Sequence, residues 1–282
     1  MQESIHRRIF VMGCSRSGTT LLQRMLANHS RIHTFPETGV FLKALGMRGR
    51  ELPWTRLGLT LGKERKVLGQ LRAQSDLPEE EQPSLPPRRI RLNRSVADTV
   101  DFLDRMALAH GTDTWVEKTP RHVLHAGRIQ EMVPDSLCIH VVRDGRDVVA
   151  SIVDRARKFP DFFSRQLKPD YAIRQWNNSI RATLEVLNQE GHLVVHYDSL
   201  AHEPEKILQK VCRIAKFPYE EEMVKNPRSL PFVGNQEFWK SNVEEKIEPS
   251  PSKFPNLFDT TTQKRIEKSL SLKAFDSLKE NL

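Results

Sequence analysis

The stretch Arg8-Ile-Phe-Val-Met-Gly-Cys-Ser-Arg-Ser-Gly-Thr-Thr-Leu-Leu22 decides how this chain folds and what it binds. Residues 8–12 form a short apolar run that ends at Gly13, which is typical of a buried strand. A Gly/Ser/Thr loop, Gly13–Thr20, follows, and apolar residues then recur at helical spacing to about Asn28. The stretch therefore predicts a strand, an anion-binding loop and a helix in direct succession.

The composition of this loop narrows the anion that it binds. Glycines let successive backbone N–H groups converge on one anion, and the helix that follows adds its positive N-terminal end. A nucleotide triphosphatase loop has Lys before the final hydroxyl residue. Thr19 stands in that place here, and the cation of the loop is Arg16. No apolar strand ends in an obvious magnesium-binding Asp, so we expect an oxyanion site without a metal.

The rest of the chain predicts an α/β fold. Short apolar strands at 115–116, 137–142 and 193–197 alternate with helices, among them one that Ser95 opens with a capping box and one that begins at Pro204. This order predicts a P-loop-type parallel β-sheet flanked by helices on both faces. Residues 1–282 are predicted to form a single domain, with residues 46–95 as an inserted lid over the acceptor site.

Composition excludes several classes of protein. The chain has 282 residues, of which 38% are hydrophobic and 28% charged, so wholesale disorder is not expected. Neither an apolar run of roughly 18–20 residues nor a signal peptide is found, which predicts a cytoplasmic protein without a transmembrane segment. Three cysteines without metal-like spacing predict neither a disulfide scaffold nor a zinc site. Cys138 and Cys212 are predicted to be buried thiols, whereas Cys14 lies in the loop.

The net charge of +8 is concentrated in residues 46–95, which hold eleven Lys/Arg and six Asp/Glu. Such a surface attracts nucleic acid, anionic lipid or an acidic small molecule, and a solvated face is the alternative. Because no nucleic-acid motif accompanies the charge, no nucleic-acid partner is expected.

A second motif, Val142-Arg-Asp-Gly-Arg-Asp-Val-Val-Ala-Ser151, begins where a predicted strand ends. Open parallel sheets bind ligands at this edge, and a guanidinium with a hydroxyl can hold a terminal phosphate. Arg143 and Ser151 are therefore candidate phosphate ligands. The alternative is that Arg143 only forms a salt bridge with Asp144 or Asp147.

The two motifs together resemble the sulfotransferase superfamily, and most closely its tyrosyl-protein-sulfotransferase-like branch. Cys14–Leu22 resembles the 5′-phosphosulfate loop of that family, and Val142–Ser151 resembles its 3′-phosphate motif. The similarity extends over residues 8–40 and 114–255. It implies a sulfotransferase of EC 2.8.2 type that moves a sulfuryl group from 3′-phosphoadenylyl sulfate (PAPS) to a hydroxyl acceptor by in-line displacement. The product 3′-phosphoadenosine 5′-phosphate (PAP) would remain, and no metal is expected.

The resemblance also implies roles for individual residues. Glu37 matches the general base, ahead of His33 and His29 as other nearby candidates. Lys118 matches the lysine that neutralises the leaving group beside Arg16, although an ion pair with Glu117 is an alternative. The cofactor-binding residues that the resemblance implies are Arg16, Ser17, Gly18, Thr19, Thr20, Arg143, Ser151, Tyr197 (placed at the end of a strand), and Ser241 and Lys253 in a late loop.

Two other functions fit part of the pattern. A P-loop kinase would need a lysine in place of Thr19, and a non-catalytic protein could bind an anionic surface through residues 46–95. The acceptor is left open among sugars, lipids, polyketides and peptide tyrosine. A small molecule, glycan or lipid is favoured over protein tyrosine, because no secretory signal is found. The sequence does not predict the oligomeric state.

Overall fold

The computed structural model describes residues 4–45, 53–225 and 251–278. Within these residues, five parallel strands form one sheet in the order β2-β3-β1-β4-β5. The strands are β1 Arg7–Gly13, β2 Ile32–Phe35, β3 Thr114–Lys118, β4 Ser136–Val142 and β5 His192–His196. The predicted parallel α/β fold is thereby confirmed.

Helices connect the strands and cover the sheet. In chain order the α-helices are α1 Thr19–Ala27, α2 Val40–Ala44, α3 Pro53–Arg56, α4 Glu64–Ala73, α5 Leu92–Ala109, α6 Ala126–Met132, α7 Gly145–Lys158, α8 Pro160–Phe163, α9 Pro169–Val186, α10 Tyr197–His202, α11 Pro204–Ala215, α12 Glu222–Lys225, α13 Phe254–Leu257, α14 Thr260–Ser269 and α15 Leu272–Asp276. Short 3-10 helices lie at Pro120–His125 and Ser164–Gln166.

Alternating side chains of the central strand explain the two layers of helices. Phe10 and Met12 of β1 pack with residues of α2, α4, α5 and α6, while Ile9 and Val11 pack with α1 and α11 on the other face. Successive side chains of a strand point to opposite faces, so an apolar run on β1 needs cover on both. A third cluster joins α7 and α9 to α13, α14 and α15.

The structure corrects two predictions about strands. β2 was not predicted, because its His33 and Thr34 interrupt the apolar pattern in a strand of four residues. Tyr197 is not the end of a strand: β5 ends at His196, and Tyr197 is the first residue of α10. β3 is longer than predicted, since it includes Glu117 and Lys118.

Two helix predictions were also wrong in detail. α5 begins at Leu92, so Ser95 lies inside the helix and caps nothing; its hydroxyl donates to the buried carboxylate of Glu64 on α4. Pro204 does start α11 as predicted. The helical spacing of the apolar residues 207, 208, 211 and 214 also predicts that Ile214 faces inward, but it is 38% exposed.

The described part of the predicted insertion, residues 53–95, contains α3, α4 and the start of α5. Val67, Leu68 and Leu71 of α4 belong to the same core cluster as Phe10. The segment is therefore anchored to the core, and its role as a lid over the acceptor stays a prediction. Among the described residues, no helix has the length and apolar character needed to cross a bilayer.

Candidate functional site

The Gly13–Thr20 loop lies at the carboxyl edge of the sheet, between β1 and α1. Its glycines are needed for backbone reasons: a Cβ at Gly13 would lie 2.3 Å from the Val141 carbonyl oxygen of β4, and Gly18 has a φ of 94°. Arg16 also has a positive φ of 73°, which is uncommon for a residue with a side chain. The loop is therefore held in a tight, specialised turn.

The start of α1 presents backbone donors to this turn. The residue before the helix is Gly18, which has no side chain to cap the first N–H groups. Ser17 and Thr19 are both buried beside it, and the Ser17 hydroxyl finds no hydrogen-bond partner within the described chain. Free helix N–H groups, the helix dipole and a buried hydroxyl together form an anion site.

The two sequence motifs meet through their side chains. Arg16 Nε donates to Ser151 Oγ at 3.1 Å, which links the loop to α7. The Arg143 guanidinium lies 4.2 Å from the centroid of the Tyr197 ring, and a Cβ at Gly18 would meet the edge of the same ring. The structure therefore brings together Arg16, Gly18, Arg143, Ser151 and Tyr197, and their binding of a nucleotide stays a prediction.

Repulsion between cations characterises this site. Burial lowers the pKa of Arg16, and the positive charge of Arg143 lowers it further, whereas Asp154 opposes the shift. Arg143 also contacts Asp147, with Nη2 and Oδ2 3.7 Å apart, so the salt bridge considered as the alternative is present as well. Two partly buried guanidiniums whose charges disfavour each other are stabilised by an anion bound between them.

Arg155, which the sequence analysis missed, belongs to the same cationic group. Burial lowers its pKa to about 10; the charge of Arg16 adds to this, and that of Glu37 opposes it. The side chain is held by a 2.6 Å hydrogen bond from Nη2 to Gln166 Oε1 and by the Phe163 ring, 4.2 Å from the guanidinium carbon. It lies one helical turn after Ser151, and this spacing is the signal by which the sequence could have indicated it.

The predicted catalytic pair is in contact. Lys118 Nζ donates to Glu37 Oε2 at 2.7 Å, so Lys118 pairs with Glu37 and not with its neighbour Glu117. The lysine side chain is 3% exposed and that of Glu37 is 36% exposed. Lys118 ends β3 directly beside Val11 of β1, the strand that leads into the loop. A partly accessible carboxylate and a buried ammonium therefore lie next to the anion site.

The end of β3 also fastens the segment after Glu37. Thr38 Oγ1 and Thr119 Oγ1 donate to Glu117 Oε1 at 2.7 and 2.6 Å, and Gly39 N donates to Thr119 Oγ1 at 2.9 Å. These three bonds hold Thr38 and Gly39 against a strand whose residues are all buried. The position of Glu37 is therefore fixed on both sides, by Lys118 and by this set of bonds, which we call the Glu117 anchor.

Glu117 itself is fully buried yet stays ionised. Burial favours the neutral carboxyl group and by itself would raise the pKa of Glu117. His122, whose Nδ1 lies 2.9 Å from Glu117 Oε2, and the hydrogen bonds from the two threonine hydroxyls outweigh this effect. The pKa of Glu117 is therefore lowered. A buried carboxylate with several donors is a rigid support, because releasing any donor leaves charge unsatisfied.

The other titratable groups near the loop are poorly suited to act as a base or as a nucleophile. Burial, together with the charge of the His110 ring at 4.1 Å, lowers the pKa of His33 to about 3. His29 Nε2 lies 2.8 Å from the Pro218 carbonyl oxygen, which occupies that nitrogen. Burial raises the pKa of the Cys14 thiol to about 12, and Cys138 and Cys212 are buried as predicted.

The late-loop residues are only partly described. Ser241 lies outside the described residues. Lys253 Nζ is 2.7 Å from Asp154 Oδ2 on α7, the same carboxylate whose charge acts on Arg16. Lys253 therefore lies at the edge of the site, and its contact with a phosphate stays a prediction.

The donor groups of the loop and of the second motif fit a ligand rich in phosphate oxygens. Three buried donors in this region have no hydrogen-bond partner among the described residues: Ser17 Oγ, Arg143 Nε and Arg155 Nε. Buried polar groups are rarely left unsatisfied, so each marks a place for an acceptor atom. Ser17 lies in the Gly13–Thr20 loop, Arg143 lies in the second motif just before α7, and Arg155 lies on α7. The fit to PAPS or PAP rests on the presence of such donors in both the loop and the second motif region.

Comparison with known proteins agrees with this geometry. The sequence profile of the sulfotransferase family matches residues 8–221. The protein-tyrosine sulfotransferase A of Caenorhabditis elegans is 23% identical over 245 residues, which is 84% of this chain and 56% of that protein. The chain thus spans about half the length of this curated relative. Among solved structures, the sulfotransferase domain of a Synechococcus olefin synthase aligns with a TM-score of 0.62 at 19% identity over 95% of both chains. A mouse sulfotransferase complexed with PAP aligns with a TM-score of 0.50 at 13% identity over 95% of this chain and 84% of that one.

Proposed function

Because this chain belongs to the sulfotransferase family, we propose that it transfers a sulfuryl group from PAPS to a hydroxyl acceptor without using a metal. The observation that carries the proposal is the contact between Glu37 and Lys118, 2.7 Å apart at the carboxyl edge of the sheet beside the Gly13–Thr20 loop. A base and a cation are placed there beside an anion site, which is the arrangement that group transfer requires.

Different residues of the chain bind the 5′ end and the 3′-phosphate of PAPS. PAPS supplies an activated sulfuryl group, and its departure leaves negative charge on a phosphate oxygen. The backbone N–H groups and hydroxyls of residues 17–20 bind the 5′ end, with Arg16 beside them. Arg143 and Ser151 bind the 3′-phosphate, with Arg155 as a further cation, and Tyr197 closes the site against Gly18 and Arg143. We further propose that Ser241 and Lys253 contact the nucleotide.

Glu37 accepts the proton of the acceptor hydroxyl. Its carboxylate is accessible enough to meet an acceptor, and Lys118 and the Glu117 anchor hold it in position. Lys118 and Arg16 stabilise the negative charge that develops on the departing oxygen. Because this charge is absent from the ground state, their attraction strengthens in the transition state and accelerates the reaction.

For the acceptor, we keep a small molecule, glycan or lipid hydroxyl as the first choice, with protein tyrosine as the alternative. The name of the Caenorhabditis elegans relative supports tyrosine for that protein. We do not assign the same substrate to this chain directly, because the chain covers only 56% of the length of that relative. Acceptor choice is set by loops and insertions, and donor binding does not determine it.

The test is an acceptor screen with sulfur-labelled PAPS. Wild-type protein and Glu37→Gln are incubated with panels of lipid, glycan, phenol and tyrosine-peptide acceptors. The matched control is Glu190→Gln, which changes an exposed glutamate in the turn between α9 and β5. We expect label transfer by the wild type and by Glu190→Gln, and a fall of about 100-fold or more for Glu37→Gln. Phosphate transfer from ATP and magnesium, with none from PAPS, would instead support a kinase.

A further inference from the structure

An exposed apolar and basic surface lies on the part of the predicted insertion that the structure describes. We call it the Leu57–Ile90 surface and define it as residues 56–66 and 88–94. Leu57 is 78% exposed and Ile90 73% exposed, and Leu59 and Leu61 are also exposed. Single exposed aliphatic residues are common, but a group of four on one surface marks a site of interaction.

Backbone contacts show that the two segments form one continuous surface. Thr60 N donates to the Ile90 carbonyl at 2.8 Å, and Leu92 N donates to the Gly58 carbonyl at 2.7 Å. Between these bonds, Leu59 and Arg91 form an antiparallel bridge. The two segments therefore lie side by side along their backbones.

The charge around these side chains is almost entirely positive. The two segments hold eight Lys or Arg residues, all exposed, among them Arg88, Arg89 and Arg91. Their sole carboxylate is Glu64, which is buried and accepts a hydrogen bond from Ser95. Arg89 also contacts Asp98, with Nε and Oδ2 2.6 Å apart, and this leaves a strong excess of positive charge on the surface.

We propose that the Leu57–Ile90 surface binds an anionic lipid bilayer. Protruding aliphatic side chains can enter the boundary between headgroups and acyl chains, while flanking arginines and lysines reach the phosphate level. Anionic headgroups attract such a cluster, and the two contributions together give stable attachment where one alone is marginal. A nucleic acid would satisfy the charges but leave the aliphatic groups in water, and single strands bind through aromatic stacking that this surface does not offer.

The surface is joined directly to the candidate catalytic segment. Thr60 Oγ1 donates to the Ala44 carbonyl at the end of α2 at 2.7 Å, and Val40 at the start of α2 donates to Thr38 Oγ1 at 3.0 Å. A helix of five residues is about 7.5 Å long. Attachment would therefore bring Glu37 close to hydroxyls at the bilayer surface, a consequence that rests on the proposed function. The binding itself does not rest on it.

The experiment measures vesicle binding by the full chain, independently of turnover. Wild-type protein is sedimented with vesicles of phosphatidylcholine and phosphatidylserine, and with vesicles of phosphatidylcholine alone. The variants Leu57→Ser/Ile90→Ser and Arg88→Glu/Arg91→Glu change exposed side chains. The controls Ile214→Ser, with one aliphatic change, and Lys206→Glu/Arg213→Glu, with two charge reversals, make changes of the same type on α11, which covers the opposite face of the sheet.

We expect binding to the anionic vesicles alone, with loss in about 1 M salt, where the screening length falls to about 3 Å. Both surface variants should bind at least about tenfold more weakly, since each cation near an anionic membrane is worth roughly a fivefold change. The α11 controls should bind like the wild type, and all variants should keep the wild-type rise in melting temperature with PAP. Equal binding by the surface variants, or none by the wild type, overturns the proposal. A wild-type dimer that these variants dissociate would assign the surface to a second copy of the chain instead.

Discussion

At the scale of single residues, the site is a set of cations held in place before any anion arrives. Arg16 is fixed by Ser151, Arg143 by the Tyr197 ring and Asp147, and Arg155 by Gln166 and Phe163. Because the side chains are already ordered, a phosphate loses little binding energy to ordering them.

Arg155 is expected to contribute to nucleotide affinity. Replacing it by alanine removes a partly buried cation whose buried Nε has no hydrogen-bond partner among the described residues, and a hydrogen bond to a charged group is worth about 1.5–3 kcal/mol. Arg155→Ala should therefore weaken PAP binding about tenfold to a hundredfold in calorimetric titration. Arg146→Ala, on the same helix but with a half-exposed side chain paired with Asp144, is the matched control and should bind PAP like the wild type. Equal affinities for the two variants would place Arg155 outside the nucleotide site.

At the scale of elements, the carboxyl end of β3 organises the candidate catalytic segment, residues 37–39. Lys118 holds Glu37, and the two residues that flank Lys118 in sequence hold Thr38 and Gly39. Since β3 lies beside β1 in the sheet, the Glu37 segment and the Gly13–Thr20 loop are positioned by one rigid body.

Thr38 tests this arrangement. Thr38→Val removes the hydroxyl that donates to the buried Glu117 carboxylate, and we expect a loss of about 1–3 kcal/mol of unfolding free energy. Turnover should fall while PAP affinity stays unchanged, because the anion site does not depend on Thr38. Thr38→Ser keeps the hydroxyl and should restore turnover. If valine and serine variants turn over at the same rate, the hydroxyl does not position Glu37.

The ionised state of Glu117 predicts a pH dependence of stability. The pKa of Glu117 is lower in the folded protein than its ordinary value of 4.5, so its contribution is complete well above that value and is lost as the pH falls through the folded pKa. Glu117→Gln should therefore destabilise the protein strongly at about pH 7 and progressively less, relative to the wild type, below about pH 4. Urea unfolding at several pH values measures this difference. A difference that grows toward acid pH would mean that the buried carboxyl is neutral.

The sequence predicted the parts of the fold and site that depend on local patterns. The apolar run of β1, the glycine loop and the Arg143–Ser151 spacing each carry their own signal, and the structure brings them together. β2 escaped prediction because edge position permits polar residues in a strand, and it is paired on one side only within the described sheet. The roles of Arg155 and the Glu117 anchor were not predicted, because they depend on contacts between elements distant in sequence, such as the contact of Thr38 with Glu117.

At the scale of the whole molecule, the candidate nucleotide site and the proposed membrane-binding surface lie at different positions around one sheet. The carboxyl edge carries the anion site and the Glu37–Lys118 pair, and α2 connects that edge to the Leu57–Ile90 surface. The opposite face of the sheet is covered by α1, α10 and α11, and it contributes the first turn of α1 and Tyr197 at the start of α10 to the candidate site. The excess of positive charge thus concentrates where anionic ligands are proposed to bind.

The central claim is that this chain binds a nucleotide with phosphates at both the 5′ and 3′ positions, and the melting temperature with PAP tests it most directly. At about 100 times its dissociation constant, PAP should add about 2.7 kcal/mol of stability. Adenosine 5′-phosphate, which lacks the 3′-phosphate, should give a much smaller rise, and Arg143→Ala should abolish the advantage of PAP. An equal rise with both nucleotides, or no rise with PAP, would contradict the account.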